Sequence, residues 1–60
     1  MEAWIKWQIR NNRMHERHDL TVDQARDKYR SLVDEPSVSF AQWGAKTAEG
    51  NITLGELRRI

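Results

Sequence analysis

Glu2-Ala3-Trp4-Ile5-Lys6-Trp7-Gln8-Ile9-Arg10-Asn11-Asn12-Arg13-Met14-His15-Glu16-Arg17 is the stretch on which the reading of the whole chain turns. Trp4 and Trp7 stand three apart and Ile5 and Ile9 four apart, while Lys6, Arg10, Arg13 and Arg17 follow at spacings of four, three and four. Residues three and four apart share one side of a helix, so the spacing predicts a helix over residues 2–17. On that helix the four cations fall within an arc of roughly 60° and form a stripe about 16 Å long. Glu2, four residues before Lys6, adds a favourable helical ion pair. Asn11 and Asn12 are poor helix formers and predict a bend or an early end in its middle. The tryptophans occupy one side and the isoleucines another, so this helix has two neighbours to bury against.

Outward from this segment, Thr21 precedes Gln24, Ser39 precedes Gln42, and Thr53 precedes Glu56, each by three residues. Such pairs are capping boxes, in which hydroxyl and longer side chain satisfy each other's backbone amides. A second helix is expected over 22–34, with Val22, Ala25, Tyr29, Leu32 and Val33 as its apolar stripe and Asp23, Asp27, Arg30 and Asp34 outside. Pro36 ends it. The short connection His18-Asp19-Leu20 makes the first two helices antiparallel neighbours. A third helix is expected over 40–48, burying Phe40 and Trp43. After a turn at Gly50 and Asn51, a last helix would carry Leu54, Leu57 and Ile60. The competing pattern is a hairpin: residues 37–42 alternate with Val38 and Phe40 on one side, and residues 51–55 with Ile52 and Leu54. The fold expected is therefore an all-α single domain over residues 1–60. It would be a small bundle of three to four short helices with an N-terminal antiparallel helical hairpin. The alternative is an α+β fold with a C-terminal β-hairpin.

With 60 residues the chain buries a modest share of its surface, and small domains often gain stability from disulfides, a metal or a partner subunit. There is no cysteine, which excludes disulfides and fits a reducing compartment. A homo-oligomer is the expected source of the missing stability. Ten Lys and Arg stand against nine Asp and Glu, a net charge of +1. That balance argues against a generic nucleic-acid binder, though not against one whose charges are segregated. No apolar run reaches membrane-spanning length, and the N-terminus lacks signal-peptide order, so a cytoplasmic protein without membrane association is expected.

Lys6, Arg10, Arg13 and Arg17 are the candidate binding residues, as cations that track phosphates or meet an acidic protein surface. Trp4 and Trp7 are the candidate aromatic anchors. Each has a plainer reading as well: a solvated helix face for the cations, and core packing against Tyr29 or Trp43 for the tryptophans. His15 and His18, with Glu16 and Asp19 beside them, fall short of a four-ligand structural zinc site, and no metal or other cofactor is expected. Residues 46–51 fit a helix-turn-helix turn poorly. Arg58 and Arg59 remain as cations able to touch phosphate. No nucleophile set or paired carboxylates with supporting context is visible, so no catalytic residues are assigned.

Arg10-Asn11-Asn12-Arg13-Met14-His15, an arginine and a polar residue with a histidine five after the arginine, resembles the active-site signature of HEPN-type ribonucleases. That resemblance implies a dimerising helical bundle in which Arg10, Asn11 and His15 would serve RNA cleavage. The residues themselves favour a small non-enzymatic interaction or regulatory protein that binds a protein partner and self-associates. The alternative is a nucleic-acid-binding protein that uses the basic stripe.

Overall fold

Strand, strand, helix, strand, strand is the order of elements in the computed structural model, which describes residues 1–59. β1 spans Ala3–Ile9, β2 His15–Leu20, α1 Val22–Val33, β3 Val38–Thr47 and β4 Gly50–Arg58. The strands form one antiparallel sheet in the order β2-β1-β3-β4. The first strand is therefore central, and β2 and β4 are the edges. α1 packs across one side of the sheet, chiefly on β3 and β1. The other side is open.

The expected all-α bundle and its helical hairpin do not form. Residues 2–17 make a β-hairpin instead, with Asn11 and Asn12 in the loop between β1 and β2. The physical reason is a second period in the same residues. Ala3, Ile5, Trp7 and Ile9 face α1, and Trp4, Lys6 and Gln8 alternate to the open side. Aromatic and β-branched side chains suit that pleated surface. Asparagine favours turns, so the pair falls where the chain reverses. Asn12 N–H donates to the Ile9 carbonyl at 3.0 Å, and Gln8 Nε2 donates to the Asn12 carbonyl at 2.7 Å.

α1 is the helix expected over 22–34. Its capping box is complete: Gln24 N–H donates to Thr21 Oγ1 at 3.0 Å, and Thr21 N–H donates to Gln24 Oε1 at 2.9 Å. Ala25 and Leu32 are buried against the sheet, and Val22 and Tyr29 pack at its margins. The helix ends at the Asp34 cap, two residues before Pro36.

The last third is also strand, which corrects the helices expected over 40–48 and at the C-terminus and leaves the α+β alternative as the architecture that forms. Ser39 and Thr53 cap nothing. Ser39 Oγ donates to the carbonyls of Gln8 (3.2 Å) and Arg10 (3.0 Å), and Thr53 lies opposite Gly44. The hairpin itself differs in register from the simple alternation. A register shift where β1 meets β3 buries Val38 under α1 and turns Phe40 to the open side, opposite Gln8. A second shift leaves Leu54 as an extra residue between Thr53 and Gly55. The reversal falls at Ala48 and Glu49, ahead of Gly50, whose φ of 122° belongs to glycine. Ile60, expected on the last helix, lies outside the described residues.

The core between α1 and the sheet is small. Ile5 and Val38 are fully buried, with Ala3, Ala25, Ala41, Leu32 and Trp43 around them. The alanines bring helix and sheet close together. Trp43 meets Tyr29 at a ring separation of 6.3 Å, and Leu57 closes the side toward β4. Arg59 ties the C-terminal end of the sheet to the helix: its guanidinium donates to the carbonyls of Val33, Glu35 and Val38. The Val33 carbonyl belongs to the last turn of the helix, whose acceptors lack partners within it and where a cation is also favoured by the helix dipole; the Glu35 carbonyl accepts from Val38 N–H as well, at 3.1 Å.

Candidate binding site

The fold scatters the stripe expected from the sequence. Lys6 stands on the open side of β1, its Nζ 3.4 Å from Glu16 and 5.7 Å from the Trp4 ring centroid. Arg10 and Arg13 lie in the β1–β2 loop. Arg17 is on β2 opposite Ile5, facing α1 beside Leu20, Gln24 and Lys28. Four cations that one helix would have aligned thus occupy two sides of a sheet and the loop at its end.

The two tryptophans part in the same way. Trp4 lies on the open side, flat enough over Gly44 that a Cβ there would fall 2.6 Å from its ring. It is 8% exposed and belongs to the fold. Trp7 lies on the helix side. His15 stacks on it at 5.2 Å and 19°, and Lys28 Nζ sits 4.9 Å from its centroid. His15 and His18, three apart on a strand, point to opposite sides of the sheet. The helical bundle that the ribonuclease resemblance implied is not present. Arg10 and Asn11 are loop residues and His15 is engaged with Trp7.

What the fold brings together is a different set, on the open side where the β1–β2 loop faces the end of β4. An open groove of about 840 Å³ is lined there by Gln8, Arg10, Met14, Phe40, Arg58 and Arg59, and among the described residues no carboxylate takes part in its lining. Its middle is one row of the sheet: Gln8 on β1, Phe40 on β3 and Arg58 on β4 stand side by side. With strands about 4.8 Å apart this row is about 10 Å wide. Arg58 Cζ lies 5.1 Å from the Phe40 ring centroid. Its Nε donates to Glu56 Oε2 at 3.0 Å, and Glu56 Oε1 accepts from Gln42 Nε2 at 2.9 Å. Phe40 is thus the floor under Arg58, and Glu56, held by Gln42, fixes the guanidinium above it.

Arg10 forms the lip. Its φ is 53°, a left-handed conformation that costs a residue with a side chain about 1–2 kcal/mol. β3 holds it there. Arg10 N–H donates to the Ser37 carbonyl at 3.0 Å, and the Arg10 carbonyl accepts from Ser39 Oγ at 3.0 Å. Among the described residues the Arg10 guanidinium has no ion pair, in contrast to Lys6, Arg26 and Arg58. Met14, 43% exposed, adds an apolar flank.

Of the six residues singled out in the sequence, Arg10 alone lines this groove. Arg13 is its neighbour in the same loop. Phe40, Gln8, Gln42 and Glu56 carried no signal, because their placement depends on two strand registers; Phe40 was expected in the core. Arg58 stood out only as a terminal cation. Among the described residues no helix is long and apolar enough to cross a membrane. The chain matches no protein-family model, and its comparison with curated proteins and with solved structures gives no match.

Proposed function

We propose that this chain is a non-enzymatic binding module that takes nucleic acid on the open side of its sheet, at the groove between Arg10 and Arg58. The observation that carries this reading is Arg10. A strained backbone is retained by Ser37, just before β3, and by Ser39 within it; among the described residues the guanidinium it presents has no ion pair, and the groove with its aromatic floor is lined by no carboxylate. Strain of this kind persists where the surrounding structure enforces it and gathers at ligand-contacting sites. Arginine suits planar, bidentate contact with phosphate. A net charge of +1 is compatible, since the cations that matter are local to one end of the sheet.

The test is fluorescence anisotropy of a labelled oligonucleotide across a salt series. Log affinity should fall linearly with log salt, with a slope set by the phosphates neutralised. Arg10→Glu combined with Arg58→Glu should abolish binding while the far-ultraviolet circular dichroism stays unchanged. A double variant that folds and binds as the wild type does would overturn the reading.

A second reading, a protein partner or a second copy of the chain, is favoured by β4. It is an edge strand nine residues long, with Ile52 and Leu54 at 44% and 47% exposure. Exposed edges of this kind are templates for strand pairing. Cytoplasmic residence belongs to the same proposal and is supported by the lack of cysteine in the chain.

A further inference from the structure

We infer that the nucleic acid is single-stranded, with one base stacking on the Arg58 guanidinium and a flanking phosphate on Arg10; this rests on the reading of the groove as a nucleic-acid site. The first argument is width. Four strands at about 4.8 Å spacing make a sheet about 14 Å across before side chains are added, while the duplex major groove is about 12 Å wide and admits a helix or a two-stranded ribbon. The open side of this sheet cannot enter it. The second argument is the platform. Arg58, with a side chain 71% exposed, has its Cζ 5.1 Å from the Phe40 ring centroid and is held by Glu56, so guanidinium and ring together offer planar groups to the groove that both line. Arginine planes and aromatic rings stack unpaired bases. A base inside a duplex already has neighbours on both faces and cannot reach such a platform. The third is the division of labour. Arg58 is committed to Phe40 and Glu56, whereas Arg10 at the lip has no ion pair among the described residues and can take the backbone of the same strand. Gln42 and Glu56 are positioning residues that hold the stacking surface.

The experiment compares a strand of about 12 nucleotides, its duplex of the same sequence, and an abasic strand with the same number of phosphates, all with the full chain. The strand is offered as DNA and as RNA, since both carry the phosphate and the base face the site uses, and binding of either supports the inference. The intact strand should bind about tenfold or more tightly than the duplex and than the abasic strand, in line with the strength of stacking on such surfaces. Arg58→Lys, which keeps the charge and loses the plane, should weaken the intact strand about tenfold and leave the abasic strand and the salt slope unchanged. A duplex or abasic strand that binds as tightly as the intact strand would overturn single-strand recognition while leaving the nucleic-acid reading in place. An Arg58→Lys variant with wild-type affinity would overturn the platform. Binding of none of the three would overturn the nucleic-acid reading itself, and this inference with it.

Discussion

At the scale of single residues, Arg10 and Arg59 show how one side-chain type serves opposite ends. Arg59 also lines the groove, but it spends its donors on the carbonyls of Val33, Glu35 and Val38 and so contributes to stability. Arg59→Ala removes these bonds and should lower stability by about 1–2 kcal/mol, read from urea unfolding. Arg10 offers the inverse. Asparagine tolerates the left-handed backbone better than arginine, so Arg10→Asn should hold stability or raise it by up to about 1 kcal/mol. Binding should fall all the same, because the free guanidinium is gone. A variant that loses stability and keeps affinity would reverse the roles given to the two arginines. Arg10 was visible in the sequence as a cation. Its backbone conformation was not, because that depends on Ser37 and Ser39, almost thirty residues away.

At the scale of elements, α1 was legible and the strands around it were not. Thr21 and Gln24 mark its start, and Val22, Ala25, Tyr29 and Leu32 its buried stripe, with no second period competing for them. Leu32→Ala should therefore cost about 2–5 kcal/mol, and Asp27→Ala, on the exposed side, no more than about 0.5 kcal/mol; paired thermal melts measure both. In β1 the two periods coexist. Trp4 and Trp7, three apart, imitate a helix side only because Trp4 is an apolar residue on the open side of a strand. The Asn11-Asn12 pair was the one local sign of a reversal. The same lesson holds at Gly44, inside the helix expected over 40–48. It is a point of close approach: any Cβ there would run into the Ile52 carbonyl and the Trp4 ring. Gly44→Ala should destabilise by about 3 kcal/mol through overpacking, where a helical site would have gained about 1 kcal/mol. The sign of that change, measured by denaturant unfolding, separates the two structures directly.

At the scale of the whole molecule, the two edges of the sheet differ in kind. β2 carries His15, Glu16, Arg17, His18 and Asp19, with Asp19 in a left-handed conformation at a register shift, features that discourage pairing with another chain. β4 exposes Ile52 and Leu54 in its first half, and its charges, Glu56 and Arg58, fall beyond its bulge. If the chain self-associates, β4 is the edge that does so. Light scattering at rising concentration should then show a dimer that Ile52→Lys with Leu54→Lys returns to the 7.1 kDa monomer. A wild type that stays monomeric at the highest concentration would exclude it. The groove was not legible because it is assembled from three strands whose registers no local pattern encodes. The central seam between β1 and β3 has a kinetic consequence. Both hairpins and the helix join residues near in sequence and can form within microseconds, whereas this seam joins residues about thirty apart, as in the Ser39 to Gln8 bond. Closing it is the step that sets the folding rate. Ser39→Ala, at the seam, should slow folding and leave unfolding almost unaffected, whereas loss of the Arg59 clasp, which forms after the halves have met, should mainly speed unfolding. The two arms of a denaturant chevron would separate them, and the seam would then set how long a newly made chain leaves the edge of β1 unpaired.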